Sequence, residues 1–458
     1  MRTLAIVGAG FSGAATAIQL LRRHGQLPFQ LALINRHPNL ARGVAYGTQS
    51  PSHLLNVPAG RMGLFPDQEG DFLDFVRHYD SGVTAGSFVP RSLYGRYLEA
   101  RLKHAAEQAA AMRLQPVTGE VQDLSLAADG RGALLKFSDG RTLDAEHVVL
   151  AVGNYPPADP SLPEADFFHS RQYIRDPWSP GALDRVPLEA PVLLMGTGLT
   201  MMDVALELAH RGQSAVQYAI SRRGLLPQVH RQLPAMPLTP PPAGLLEGRP
   251  TARRYLKLTR AYVEKLAAHG GDWRDAIGAL RPLTSTLWQA LSPEERRRFL
   301  RHAQAYWDVH RHRTAPASGE QLGKLLAAGS LQVAAGRLRR LTGGSGGVRV
   351  LWQPRGSTRE ARLQVGSVIN CTGPQNDITR LSDPLVRSLL AQGLIRPDPL
   401  RLGLDVDQAA RVLDNGGRPS GVISYTGPLL RARDWEATAV PELRVAARKL
   451  ADRLAGTW

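Results

Sequence analysis

The sequence predicts an α/β fold with two Rossmann-like dinucleotide-binding domains, and three observations carry this prediction. A glycine-rich turn between a short apolar strand and a helix begins at residue 8, and a second one begins at residue 196. Two further strands, "EHVVLAVGNYPP" and "GSVINCTGPQND", also run into glycine turns. Because a strand, a glycine turn and a helix together can bind one dinucleotide, two such units predict two nucleotide sites in one chain.

Composition narrows the class of protein. The chain has 458 residues, which is longer than a single hydrophobic core usually supports, so more than one domain is expected. Its single cysteine, Cys371, excludes a disulfide framework and a Cys-x-x-Cys redox centre. No apolar run reaches the roughly 20 residues of a membrane span. The first strand starts at Leu4 and leaves no room for a signal peptide, so a cytoplasmic protein that does not bind membranes is expected.

The net charge of +16 comes mainly from scattered arginines. Nucleic-acid binding would need a continuous basic stripe with exposed aromatic residues, which the sequence does not suggest. The charge instead favours attraction of anionic small molecules. No spacing of histidines or acidic residues indicates a metal site, because the histidines of "YWDVHRHR" fall on different faces of a helix.

The first glycine turn follows the strand "TLAIV" and contains Gly8, Gly10 and Gly13. These glycines are expected to form the tight turn, admit a pyrophosphate to the backbone and let the helix pack closely on the strand. At the end of the next strand, Asn35 and Arg36 replace the usual acidic residue that binds the adenosine ribose. Asn35 can bind a ribose hydroxyl and Arg36 can stack on adenine or bind a 2′-phosphate, so this turn alone leaves FAD and NADP open.

The second turn contains Gly196 and Gly198, and a helix is expected from about Thr200. The strand that follows ends just before Arg222 and Arg223. Arginines at this position can bind a 2′-phosphate, which favours NADP over NAD, although a solvated basic turn is the alternative.

Two dinucleotide sites are typical of flavoproteins that take hydride from a nicotinamide. The strands that end at Gly153 and Gly373 indicate where the chain re-enters the FAD domain, so the first turn is assigned to FAD and the second to NADPH. The predicted domains are an FAD-binding domain at 1–180 and 331–458 and an inserted NAD(P)H-binding domain at 181–330, with a helical insertion at about 251–313. The proline-rich stretch 234–242 is expected to be an extended loop.

Five stretches carry a resemblance to a known family. They are "GVAYGTQSPSHLLNVPAGRMGLFPD", "GLTMMD" with "SRRGLLPQVH", "YWDVHRHRTAP", "NCTGP" and "TGPLLRARDWEATAVPELR". The chain resembles the bacterial FAD-NAD(P)-binding proteins related to flavin-dependent N-hydroxylating monooxygenases, the group that includes aspartate N-monooxygenase (nitrosuccinate synthase). The resemblance implies that NADPH reduces FAD and that a C4a-(hydro)peroxyflavin, formed with molecular oxygen, hydroxylates an amine or another soft nucleophile.

The resemblance also suggests site residues. In "LLNVPAGRM", Asn56 matches an asparagine that lies over the flavin in related monooxygenases, and Met62 matches their methionine, which makes Asn56 the predicted catalytic residue and Met62 a cofactor-binding one. Gly427 and Pro428 are expected to bring the backbone close to the isoalloxazine, beside a closing helix whose N-terminus would stabilise reduced flavin.

The helical segment suggests a substrate site. Arg311 and Arg313 are the predicted binding residues for a carboxylate or phosphate of a small-molecule substrate, and a solvated helix end is the alternative. Two other functions remain open, an NAD(P)H-dependent flavin oxidoreductase that inserts no oxygen and a non-catalytic FAD-binding redox sensor. The substrate and the oligomeric state are not predicted.

Overall fold

The computed structural model describes residues 2–163, 165–231 and 240–457, so most of the expected proline-rich loop, 234–239, lies outside the described residues. The strands are β1 (Arg2–Val7), β2 (Phe29–Asn35), β3 (Arg113–Thr118), β4 (Val121–Leu126), β5 (Ala133–Phe137), β6 (Thr142–Ala145), β7 (His147–Leu150), β8 (Tyr173–Ile174), β9 (Val192–Met195), β10 (Gln217–Ser221), β11 (Leu331–Gly344), β12 (Gly347–Pro354), β13 (Ala361–Val365), β14 (Ser367–Asn370), β15 (Arg411–Leu413) and β16 (Pro419–Tyr425). The helices are α1 (Phe11–His24), α2 (Gly43–Tyr46), α3 (Asp71–Arg77), α4 (Arg91–Gln108), α5 (Leu199–His210), α6 (Ala252–Ala267), α7 (Trp273–Leu280), α8 (Thr284–Ala290), α9 (Pro293–His302), α10 (Gln304–Arg311), α11 (Pro316–Ala327), α12 (Pro384–Ala391), α13 (Arg431–Asp434) and α14 (Val440–Ala455).

The first sheet has the strand order β15–β16–β7–β1–β2–β3. β1 pairs in parallel with β2 and β7, with Leu4 opposite both Leu31 and His147. Helices α1, α4 and α14 cover one face, and the small β4–β5–β6 sheet with α12 covers the other. Because both faces are covered, β1 and β2 are almost continuously apolar, and the carboxyl end of the sheet is left for a ligand.

The second sheet has the strand order β13–β12–β11–β10–β9–β14–β8. β9 pairs in parallel with β10 and β14, and β10 pairs in parallel with β11. β11 continues beyond this pairing and forms an antiparallel hairpin with β12. Two sheets, each with a parallel core in which a glycine turn links a strand to a helix (β1 to α1 and β9 to α5), confirm the predicted α/β fold with two Rossmann-like domains.

The chain returns to the first sheet later than the sequence predicts. All of β11 to β14 belongs to the second sheet, and β8 already joins it before residue 181. The structure thus differs from the prediction that the FAD-binding domain resumes at residue 331, because the first sheet resumes only with β15 and β16. β14 and β7 are both short apolar strands that end in a glycine turn, and such a strand carries no sequence signal for which sheet it joins.

The helical segment forms where the sequence predicts it, with α6 to α10 spanning residues 252–311. It has a small apolar core of its own and packs on the C-terminal segment. The indole of Trp288 lies 4.6 Å from that of Trp435, and its Nε1 donates to the carbonyl oxygen of Ala432 at 2.9 Å. Within the described residues, no helix combines the length and the apolar character that crossing a membrane requires.

Candidate cofactor and substrate site

Two of the three glycines in the first turn, Gly8 and Gly13, leave no room for a side chain. Gly8 has φ +107°, and its N–H donates to the carbonyl oxygen of Ile34 at 2.9 Å. A Cβ at Gly8 would lie 2.3 Å from the carbonyl oxygen of Ala151, and a Cβ at Gly13 would lie 1.9 Å from that of Gly8. The predicted tight turn and close helix packing are thus present in the structure.

Helix α1 presents its N-terminus at this turn. Its N-cap is Gly10, which supplies no capping side chain, and its first turn contains no acidic residue. A Cβ at Gly10 would approach only the Cα of Gly43, at 3.6 Å. The free N–H groups and the positive end of the helix dipole therefore suit a phosphate.

The second turn repeats this construction. Gly196 has φ +110°, and its N–H donates to the carbonyl oxygen of Ile220 at 2.8 Å. A Cβ there would lie 2.7 Å from the carbonyl oxygen of Cys371. Gly198 is the N-cap of α5 and Thr200 lies in the first turn, again without a side-chain cap. The two glycine turns thus match down to the backbone partners of their first glycine. We call them the first cradle (Gly8, Gly10 and Gly13) and the second cradle (Gly196 and Gly198).

Two other predicted glycines lie close to these turns. Gly153 comes two residues after Ala151, which packs against Gly8, and Gly373 comes two residues after Cys371, which packs against Gly196. Gly153 has φ +73° and Gly373 has φ +88°. A Cβ at either would meet no atom within 4 Å among the described residues. Both turns therefore face open space at the carboxyl ends of their sheets, where nucleotides bind in folds of this kind.

The C-terminal segment reaches the first turn. Gly427 has φ +136°, and a Cβ there would lie 2.8 Å from Tyr425 Oη and 3.6 Å from Oγ of Ser12 in α1. The neighbouring Thr426 Oγ1 is buried without a hydrogen-bond partner in the described part of the chain. Pro428 is buried and opens a short 3-10 helix. A polar ligand at this turn would give Thr426 its missing partner, which fits FAD.

The residues after β2 distinguish the first site from the second. The Asn35 side-chain amide donates to two carbonyl oxygens of the following turn, each at 2.8 Å. Arg36 forms an ion pair with the buried Asp383 and lies 3.2 Å from Glu120 Oε1. Because these carboxylates already balance its charge, Arg36 offers little to a 2′-phosphate, and this favours FAD over NADP in the first site.

The arginines after β10 differ in this respect. Arg222 is exposed. Arg223 donates to the carbonyl oxygen of Arg301 at 2.9 Å and lies 5.0 Å from the ring centroid of Tyr306. Neither arginine has a carboxylate partner among the described residues, so both remain able to bind a phosphate.

His230 connects the loop that carries Asn56 to the segment that carries Arg313. The backbone carbonyl oxygen of Asn56 accepts a hydrogen bond from His230 Nε2 at 3.0 Å. The backbone N–H of His230 donates to the carbonyl oxygen of Thr314 at 3.0 Å, next to Arg313. Burial and the positive charge of Arg313 lower the pKa of His230 to about 4, so its ring is neutral near pH 7.

The surroundings of Arg313 are basic. Its Nε is buried without a hydrogen-bond partner, and no carboxylate of residues 2–163, 165–231 and 240–457 pairs with it. The pKa of Arg313 is lowered to about 10 by burial and then by the charges of Arg311, Arg274, Arg231 and Arg61. An anion bound here would relieve this repulsion, so the surroundings of Arg313 suit the predicted binding of a carboxylate or phosphate.

Arg311 has a different environment from the one expected. It is only 8% exposed, and its guanidinium lies 3.1 Å from Glu436 Oε2 and 3.4 Å from Glu442 Oε1. Two carboxylates thus already balance its charge. We therefore place Arg311 in the contact between the helical insertion and α14, and Arg313 remains the candidate for the substrate.

Met62 packs inside the first domain. Its side chain is 2% exposed and belongs to the core cluster beneath the first sheet, while its N–H donates to the carbonyl oxygen of Ala59 at 3.1 Å. Met62 therefore packs in the core beneath the Asn56 loop, which is a structural role and differs from the cofactor contact expected of its side chain. Within the described residues, no three His, Cys, Asp or Glu side chains gather as metal ligands would.

One family of known proteins matches the first part of the chain. Residues 5–155 match the FAD-NAD(P)-binding family. The match covers a third of the chain and includes the first cradle, the Asn56 loop and the turn at Gly153. A search of curated proteins found no match.

Solved structures of similar shape cover the whole chain. Ornithine hydroxylase from Pseudomonas aeruginosa, in its reduced form, has a TM-score of 0.67 at 15% identity, with 100% of this chain and 99% of that chain covered. L-Lysine 6-monooxygenase from Pseudomonas syringae has a TM-score of 0.67 at 17% identity, covering 100% and 98%. The cadaverine monooxygenase of Erwinia amylovora, bound to FAD, has a TM-score of 0.66 at 11% identity, covering 99% and 94%. These likenesses establish the two-dinucleotide flavoprotein fold for the full length of the chain.

Sequence reasoning missed two carboxylates of the C-terminal segment, of which Glu436 is buried and Glu442 is partly exposed. Glu436 is 3% exposed and accepts a hydrogen bond from Trp307 Nε1 at 2.6 Å, while Glu442 pairs with Arg281 at 2.5 and 2.9 Å. Trp435, just before them, has φ +48°, which is rare for a residue with a side chain. The stretch "RDWEATAVPELR" was the available signal, but its partners lie more than 120 residues earlier in the chain.

Proposed function

We propose that the chain is an FAD-dependent monooxygenase that consumes NADPH and hydroxylates the nitrogen of an amine. The observation that carries this proposal is the repeated cradle, in which Gly8 and Gly196 make equivalent turns at the carboxyl ends of two parallel sheets. One chain can then hold two dinucleotides at once. The fold shared over the full length with ornithine, lysine and cadaverine monooxygenases supports the same function.

We assign FAD to the first cradle and NADPH to the second. The free N–H groups of α1 and the unpartnered hydroxyl of Thr426 suit the FAD pyrophosphate region. Arg222 and Arg223, which pair with no carboxylate in the described part of the chain, suit the 2′-phosphate of NADPH. Bound FAD would supply the redox and oxygen chemistry, and the chain's task is to hold the cofactors and the amine in place and to exclude water.

His230 positions the Asn56 loop. The carbonyl oxygen of Asn56 can only accept a hydrogen bond, so the proton of the neutral imidazole lies on Nε2. The same histidine is fixed to Thr314 through its backbone. The loop over the flavin site and the segment that carries Arg313 are therefore held at a defined distance from each other.

The substrate we propose is an amine that also carries a carboxylate. Arg313 is a half-buried guanidinium with four like-charged neighbours and no carboxylate partner among the described residues. A substrate carboxylate would accept charge-assisted hydrogen bonds from it and orient the amine nitrogen. A diamine without a carboxylate would not gain this contact.

Arg313→Gln is expected to raise the KM for the carboxylate-bearing amine by about tenfold to a hundredfold, because a charge-assisted contact is lost. Flavin content and the rate of flavin reduction by NADPH without substrate are expected to stay unchanged. Steady-state kinetics and anaerobic stopped-flow absorbance measure the two quantities. Arg260→Gln, an exposed arginine on α6, serves as the matched control. An unchanged KM in Arg313→Gln would remove Arg313 from the substrate site.

The proposed function is tested by measuring NADPH oxidation and product mass with amines that carry no, one or two carboxylates. Cadaverine, ornithine, lysine, aspartate and glutamate form a suitable first panel. We expect at least one carboxylate-bearing amine to stimulate NADPH oxidation and to gain one oxygen atom on nitrogen. Flavin reduction with hydrogen peroxide as the sole oxygen product throughout would favour an oxidoreductase without oxygen insertion. Bound flavin that NADPH cannot reduce would favour a redox sensor.

A further inference from the structure

A cavity of about 730 Å³ lies beside the second cradle. It is linked to that cradle by the hydrogen bond of 2.9 Å between the Thr197 and Ser221 hydroxyls. Thr197 stands between the two cradle glycines, and Ser221 directly precedes Arg222. The cavity volume falls within the ~300–1,000 Å³ usual for small-ligand sites.

Three parts of the chain form its walls. The loop after β10 supplies Arg222 and Arg223. Helix α9 supplies Arg301 and α10 supplies Asp308, and the β11–β12 hairpin with its following turn supplies the rest. The hairpin arginines are Arg337, Arg339 and Arg355. The backbone N–H of Arg355 donates to the carbonyl oxygen of Ala335, and Ala335 is the β11 residue opposite Ser221.

The charge of this cavity is strongly one-sided. Six arginines line it, and none of them has a carboxylate partner in the described part of the chain. Its one lining carboxylate is that of Asp308, whose pKa is raised by burial. Arg339 is partly engaged, because it donates to the side-chain oxygen of Gln353. Such a surface attracts a phosphate group and repels a cation.

We infer that this cavity binds the 2′-phosphoadenosine end of NADPH, and that Arg337 and Arg355 of the hairpin select NADPH over NADH. The inference rests on the proposed function and deepens it, since the residues after β10 alone would supply only two of the six charges. The end of β10 is where the adenosine ribose lies in this kind of fold. The hairpin therefore supplies nucleotide selectivity from a part of the chain about 115 residues beyond Arg222.

The test is calorimetric titration of the oxidised, flavin-loaded protein with NADP+, NAD+ and inorganic pyrophosphate at fixed ionic strength. The double variant Arg337→Ala with Arg355→Ala is expected to bind NADP+ about tenfold more weakly and NAD+ as before, because only NADP+ carries the 2′-phosphate. Both side chains are exposed, so the variant removes charge with little packing. Arg349→Ala, an exposed arginine of the same hairpin outside the cavity, is the matched control and should bind both nucleotides as before.

Equal weakening for both nucleotides, or no weakening, would overturn the inference. So would pyrophosphate that binds the wild-type protein without competing with NADP+, since the cavity would then be a separate anion site. The measurement uses the oxidised protein and requires no turnover. A failure of the proposed function would appear elsewhere, as the absence of an N-hydroxylated product in the amine panel.

Discussion

Replacing Gly196 with alanine is expected to give a protein that still contains flavin but is reduced by NADPH about a hundredfold more slowly. Gly196 has φ +110°, and a Cβ would lie 2.7 Å from the carbonyl oxygen of Cys371. The turn must therefore shift, and its N–H groups would move away from the position proposed for the NADPH pyrophosphate. The first cradle lies in the other sheet and is not touched by this change. Anaerobic stopped-flow absorbance at the flavin band measures the rate, and the flavin-to-protein ratio measures retention.

Gly323→Ala is the control for this prediction. Gly323 lies in α11, which packs against α5 in the same domain, and a Cβ there would meet nothing within 4 Å of the described structure. A helical glycine-to-alanine change should stabilise the domain by about 1 kcal/mol and leave flavin reduction as it is. If Gly196→Ala is reduced at the wild-type rate, the second cradle does not bind NADPH.

Replacing Arg311 with methionine is expected to lower the free energy of unfolding by about 3–5 kcal/mol. The change leaves the carboxylates of Glu436 and Glu442 without the charge that lies 3.1 and 3.4 Å from them. Chemical denaturation followed by tryptophan fluorescence measures the loss, and Arg253→Met, at an exposed position of α6, should change it little. Adding Glu436→Gln to Arg311→Met should recover part of the loss. An Arg311→Met protein as stable as wild type would show that the ion pairs contribute nothing.

The same carboxylate should make stability depend on pH. Burial raises the pKa of Glu436, but the charges of His312 and Arg311 and the hydrogen bond from Trp307 outweigh it, so the pKa lies below the usual 4.5. A carboxyl group with a lowered pKa stabilises the fold above its unfolded pKa, and this contribution is lost as the pH falls through the folded pKa. The free energy of unfolding should therefore fall below about pH 4.5, and Glu436→Gln should fall less steeply. Equal slopes for the two proteins would exclude Glu436 as the source.

The glycine turns could be predicted in detail because their geometry is local. Gly8, Gly13 and Gly196 are each required by a backbone conformation or a close approach within a strand–turn–helix unit, and such units are visible in sequence. The fold class followed from the same units. The residue at which the chain returns to the first sheet differs from the predicted one. This residue depends on which strands pair, and the sequence of β14 does not indicate its partner.

The substrate residues show a second limit. Arg311 and Arg313 are two positions apart at the end of α10 and looked equivalent in sequence. The helix ends at Arg311, and the chain then enters the bridge between Val229 and Thr314, so the two guanidinium groups reach different surroundings. Which arginine meets a carboxylate depends on Glu436 and Glu442, brought there by packing of the C-terminal segment. The contact of His230 with Asn56 is likewise tertiary and has no periodic signal.

Because Arg313 pairs with no carboxylate of the described residues, the thermal stability of the protein should report the binding of anionic ligands. Any small anion that fills this position relieves repulsion present only in the folded chain, so occupancy must raise the melting temperature in proportion to the logarithm of ligand concentration. Thermal-shift screening of metabolite carboxylates could thus rank candidate substrates before any turnover is seen. Arg313→Gln, tested in parallel, would identify the compounds that act at this one position.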